Sequence, residues 1–175
     1  MTLDSTQLSV GRADRIAIVR RVPLVLGFGN ILLGDDGAGV WIVERLRTDP
    51  DCGACEFIDG GTLSFTLLPY VEATDALLVI DAAELESLPG TVAVFEGPAM
   101  DAFLMSARRR TVHEVGIIDL LDMARLLGCL PERRALLCLQ PEHIDWSTSL
   151  SIPVERSLGK ATAQAKALLQ EWQDA

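Results

Sequence analysis

The feature that most constrains this chain is an alternation of short, wholly apolar runs with longer amphipathic stretches. Residues 23–28 (PLVLGF) and 76–80 (ALLVI) are continuous apolar runs of strand length, a pattern expected of strands covered on both faces rather than on one. Residues 56–58, 91–95 and 134–139 supply three further strand candidates. Between them, Val40, Val43 and Leu46 recur at helical spacing, as do Leu63, Leu67, Leu68 and Val71. A third helix is predicted from His113 through Ile117, Leu120, Leu121, Ala124 and Leu127, ending at Gly128. A fourth begins near Pro153 and lines up Val154, Leu158, Ala161, Ala165, Leu168, Leu169 and Trp172. Strands that alternate with helices imply one α/β domain in three layers, a mostly parallel sheet with helices on both faces. A length of 175 residues suits one such domain, taken as residues 22–175. Residues 1–21 are expected to form an N-terminal extension, loosely held.

Charge and hydropathy narrow the function. Fifteen Lys plus Arg against 25 Asp plus Glu leave a net charge of −10, which argues against a nucleic-acid partner because duplex binding runs on basic patches. The longest uncharged stretch, residues 22–34, falls short of the ~20 apolar residues that a membrane span needs. Residues 1–14 are polar and 16–19 are too short for a signal-peptide core. The expectation is a cytoplasmic protein, with no membrane partner. In that compartment Cys52, Cys55, Cys129 and Cys138 are expected to be free thiols. The Cys52-x-x-Cys55 pair lacks the second close pair of a structural zinc site and does not open a helix as redox motifs do.

In open α/β sheets ligands bind outside the carboxyl ends of the strands. Three of those ends carry acids: Asp35 and Asp36 in the loop after the first strand, Asp59 before Gly60-Gly61-Thr62, and Asp81 before Ala82. The first loop is not a dinucleotide fingerprint, because Leu32 stands where the third glycine belongs and two carboxylates would repel a pyrophosphate. One aspartate is expected to cap the following helix, Asp35 rather than Asp36. His113-Glu114 starts like a zincin motif but Ile117 occupies the place of its second histidine, and no G-x-S-x-G elbow occurs. Asp36, Asp81 and His113 remain as a mixed carboxylate and imidazole set. Such ligands suit a divalent metal such as nickel or zinc.

The series Gly27-x-Gly29-Asn30-x-Leu32-x-x-Asp35-Asp36-x-x-Gly39-Val40, Asp59-Gly60-Gly61-Thr62, Val79-Ile80-Asp81-Ala82, His113 and Gln140-Pro141-Glu142 resembles the nickel-iron hydrogenase maturation endopeptidases. The resemblance implies a twisted five-stranded sheet and a monomeric protease. Its substrate would be the precursor of a hydrogenase large subunit already loaded with nickel, from which a C-terminal extension is removed. It further implies that Asp36, Asp81 and His113 contact that nickel, the substrate's metal rather than a permanent cofactor. Asp59 is expected either to support the site by orienting the rim loop or to serve as a strand-ending turn with Gly60-Gly61, and Asn30 is taken as a further supporting residue. Asp36 stands where several members carry Glu, and Glu114 where Gln is expected. Two mechanisms stay open: the metal polarises the scissile carbonyl and activates a water, or Asp36 or Asp81 acts as general base while the metal positions the peptide. Rival readings are a nucleotide-binding protein and a nickel-sensing or nickel-delivery chaperone without peptidase activity.

Overall fold

A computed structural model describes residues 22–107 and 115–174. The apolar runs become the inner strands of a single five-stranded sheet. These are β1 (Leu24–Phe28), β3 (Ala76–Ala82) and β5 (Arg133–Leu139), flanked by the edge strands β2 (Glu56–Gly61) and β4 (Val92–Glu96). The order is β2-β1-β3-β5-β4. All pairings are parallel except that of β4 with β5. Every residue of β1 is buried, whereas the edge strand β2 is largely half-buried or exposed. This difference explains why the central strands read as unbroken apolar runs.

Side chains alternate across the sheet, so each strand feeds two cores. Val25, Leu78, Ile80 and Leu137 pack under α1 (Ala38–Arg47) and α5 (Ile152–Asp174). Leu24, Leu26, Leu77, Val79 and Leu136 pack on the other face under α2 (Leu68–Glu72), α3 (Pro98–Ala107) and α4 (Val115–Leu126). The expected three-layer fold is the observed one. Gly128, at φ +71°, follows α4 as the predicted stop. No helix among the described residues is long and apolar enough to cross a membrane.

Two expectations need correcting. The sequence pattern does not mark α3, whose apolar residues (PAMDAFLMSA) fall on no single stripe. Leu63, assigned to the apolar face of a helix, instead precedes that helix and is 50% exposed; the segment starts with a tight turn, Phe65–Leu67, and α2 follows it.

One ion pair ties α3 to the sheet. The Arg134 guanidinium grips Asp101 with two bonds, Nε to Oδ1 at 3.1 Å and Nη2 to Oδ2 at 2.6 Å. That bond to Arg134 holds the Asp101 carboxyl below its ordinary value of 3.8. A depressed carboxylate contributes stability above its unfolded pKa and loses it as the pH falls through the folded one. Arg134→Met is therefore expected to cost about 1 kcal/mol at pH 7. In urea titrations that difference should begin to shrink as the pH falls below about 4, the unfolded value, and should be lost once the pH has passed the lowered folded-state value, where both forms carry a protonated Asp101.

Candidate active site

The chain leaves β1 for β2 on one side and returns to β3 on the other, so the sheet reverses direction between β1 and β3. Such a reversal opens a crevice at the carboxyl ends of the two strands. Here it is a cavity of about 530 Å³ whose wall includes Asn30, Asp36, Thr62, Asp81, Glu84 and Ile144. Its volume falls within the usual range for small-molecule sites.

The first wall is the loop after β1. Gly29 adopts φ +114°, and a Cβ there would lie 1.8 Å from the Asp36 carbonyl oxygen; only glycine lets the loop fold back so tightly. Its N–H donates to the Gly61 carbonyl at 2.9 Å, joining the loops after β1 and β2. Asn30 shapes the turn by accepting the Leu32 N–H on Oδ1 at 3.0 Å, and its own N–H donates to Asp36 Oδ2 at 2.7 Å. Among the described residues the other Asp36 oxygen has no hydrogen-bond partner. Asp36 is thus half-buried, fixed by one oxygen, and set in the crevice wall.

Its neighbour has a different task. Asp35 is 1% exposed and accepts the Ser151 N–H on Oδ1 at 2.7 Å and the Glu142 N–H on Oδ2 at 2.8 Å. It does not cap α1, which begins without a side-chain cap. It clasps the β1 loop to the segment between β5 and α5. Asp35→Asn puts an amide donor against one of these N–H groups and is expected to cost about 1–3 kcal/mol. The melting temperature should fall by about 2–4 °C for each kcal/mol in a chain of this size, which thermal unfolding by circular dichroism reads directly.

The second wall is the end of β3. Asp81 is half-buried, and its Oδ1 accepts the Ala82 N–H at 2.8 Å. Glu84 follows it into the wall. Gln140, 5% exposed at the end of β5, anchors this loop: Oε1 accepts the Leu85 N–H at 2.7 Å and Nε2 donates to Glu84 Oε2 at 3.2 Å. Glu84 and Gln140 carry site roles that the sequence reading did not assign. The same rule of strand ends, extended three residues past Asp81, finds Glu84.

Asp59 does not line the crevice. It is exposed and accepts the Gly61 N–H on Oδ1 at 2.9 Å, setting the turn whose Gly61, Thr62 and Leu63 do line it. His113 lies outside the described residues; Gly116 and Ile117, three and four positions further on, belong to the wall. Among the described residues no three His, Cys, Asp or Glu side chains are grouped to hold a metal ion. The cysteines take no part. Cys52 and Cys55 precede β2, at the amino edge of the sheet. Burial pushes Cys55 up to about 11 and raises Cys52 as well, so neither is a thiolate at neutral pH.

The chain as a whole has known relatives. A family model described as hydrogenase maturation protease matches residues 40–168. The chain belongs to the hydrogenase maturation protease family. Within that family it is 36% identical over 151 residues to the hydrogenase expression/formation protein HupD of Rhodobacter capsulatus, covering 85% of this chain and 71% of that one. It is 34% identical over 152 residues to the hydrogenase 2 maturation protease of Escherichia coli K12, covering 85% and 90%. Its fold is similar to that of the hydrogenase maturating endopeptidase HybD from E. coli, with a TM-score of 0.78 and 32% identity over 86% of this chain and 93% of that one. A hydrogenase maturation protease from Thermococcus kodakarensis aligns with a TM-score of 0.72 at 27% identity, over 85% and 99%.

Proposed function

We propose that this protein is the endopeptidase that removes the C-terminal extension from the nickel-loaded precursor of a nickel-iron hydrogenase large subunit. One observation carries the reading: in a chain of this family, two separate strand ends deliver Asp36 and Asp81 to the wall of a single crevice at the reversal of the sheet. Two hard oxygen donors with an imidazole, His113, form a set able to complete the coordination of a divalent ion presented by a partner. Nickel belongs to the substrate in this scheme. It would polarise a peptide carbonyl held beside it.

The residues of the chain then divide the work. Asn30 holds Asp36 by its backbone N–H, and the Ala82 N–H donates to Asp81, so the protein frame orients both carboxylates. During hydrolysis the water oxygen bonds to the carbonyl carbon and the C–N bond breaks. A proton leaves the water and reaches the departing amine, and either carboxylate can carry it. Asp59 and Gly61 keep the facing loop in shape.

The test uses precursor in two forms, nickel-loaded and nickel-free, incubated with the protein while the precursor's mass is followed. The loaded form is expected to lose its C-terminal extension and the nickel-free form to stay intact. An uncut loaded precursor, or equal cutting of both, overturns the nickel-gated endopeptidase reading. Binding of loaded precursor without any change in its mass would point to a chaperone instead.

A further inference from the structure

Around the mouth of the crevice the fold leaves a set of large apolar side chains uncovered. They come in pairs from three loops: Ile31 and Leu32 after β1, Leu63 and Phe65 after β2, Ile144 and Trp146 after β5. Trp146 is 83% exposed, and none of the six is less than 44% exposed. Leu63 and Ile144 also line the cavity, so the collar is continuous with the crevice wall. The loops are held, not dangling. Ser147 N–H donates to the Leu32 carbonyl at 3.1 Å and Gly34 N–H to the Ser147 carbonyl at 2.8 Å, a parallel bridge that runs Leu32 beside Trp146. Apolar side chains displayed together on fixed backbone mark a surface meant to be covered.

Charge says by what. Among the described residues, the rim loops 29–37, 59–67, 81–91 and 140–151 contain no Lys or Arg. They contain Asp35, Asp36, Asp59, Asp81, Glu84, Glu86, Glu142 and Asp145. A second copy of this chain would set those carboxylates against their like, which is repulsive. The complementary partner is apolar at its centre and basic around it.

We infer that this collar docks an apolar segment of the precursor, flanked by basic side chains, adjoining the bond that is cut. The inference rests on the endopeptidase reading and adds how the polypeptide, as distinct from its metal, is recognised. Aromatic anchors in such positions commonly carry much of the binding energy, so Trp146 is the main contact and Ile144 extends it into the crevice. Rim charge acts mainly on encounter and salt dependence.

The experiment measures kcat and KM for nickel-loaded precursor with the wild-type protein, the double variant Trp146→Ser/Ile144→Ser, and the control Leu126→Ser. Leu126, 81% exposed, is the last residue of α4, at the far end of the helix from Gly116 and Ile117 of the crevice wall. The double variant is expected to raise KM at least tenfold with kcat within twofold of wild type and an unchanged melting temperature; Leu126→Ser should alter neither constant. The wild-type KM should also rise with salt. An unchanged KM in the double variant, while the wild type cuts, overturns the docking collar alone. So does a wild-type dimer in sedimentation that the double variant dissociates. A wild-type protein that cuts no precursor overturns the endopeptidase reading and this one with it.

Discussion

Asp81→Asn is expected to slow precursor cutting by about 100- to 10,000-fold while leaving the fold intact. The amide has the shape of the carboxylate and keeps an oxygen for the Ala82 N–H, the local bond that orients the side chain. What it loses is the negative charge, and with it both attraction for a cation and the capacity to take up a proton. Asp81 stands one residue before the end of β3, whose residues 76–80 are all buried and held by pairing with β1 and β5. Substitution at this half-exposed end should therefore move stability by no more than about 1 kcal/mol. Asp36→Asn should behave alike, and the double variant should be little worse than either single one, because groups that act as a unit are not additive. Asp59→Asn is the internal comparison. Asp59 lies outside the crevice wall and serves as a turn acceptor, a role the amide retains, so its cutting rate should stay within about tenfold of wild type. Mass spectrometry of the precursor ranks all four. An Asp81→Asn protein with near wild-type rate would remove that residue from the site.

The second large effect is one of packing. Gly39 lies in the first turn of α1, where an alanine would ordinarily be favoured by about 1 kcal/mol on helix propensity. Here the sign should invert. A Cβ at this position would meet the Ile80 carbonyl oxygen at 2.3 Å and the Phe28 carbonyl oxygen at 2.5 Å. Both are backbone atoms of central strands and cannot swing aside as a side-chain tip could. The clash forces α1 away from the sheet, at a cost of about 1–3 kcal/mol or more, and the melting temperature should drop by about 5–10 °C. Ile80 and Phe28 immediately precede Asp81 and Gly29, so the same wedge spreads the two walls of the crevice and activity should fall with stability. Gly159 gives the contrast. It sits in the middle of α5 with open space around its Cα, and Gly159→Ala should stabilise by about 0.5–1 kcal/mol without touching activity. Thermal unfolding of the pair separates helix propensity from close approach.

How far these features could be read from sequence depends on the reach of the interactions behind them. The three inner strands were legible because burial on both faces leaves an apolar run, and the edge strands β2 and β4 because their shorter runs are bounded by turn residues. The helix Pro98–Ala107 was not, since apolar residues on most of its sides blur the 3.6-residue period. Asp36 and Asp81 were legible through the rule that ligands meet strand ends. The task of Asp35 was not, because its two partners lie 107 and 116 positions away, and no local pattern records them. A lone aspartate before a helix looks like a cap, and only the assembled loops show otherwise. Gln140 is a similar case: its bond to Glu84 spans 56 positions, so the residue stands out in a motif series while its purpose stays hidden.

The clasp made by Asp35 also bears on when this protein acquires its site during synthesis. The β1 loop emerges early from the ribosome, yet its buried carboxylate stays without its amide donors until residues 142 and 151 follow. The strand that anchors the opposite wall through Gln140 arrives equally late. A nascent chain that stops short of β5 therefore carries Asp36 and Asp81 but has no rigid mouth to hold them in. The bonds that fix the mouth of the crevice are thus among the last that the growing chain can make.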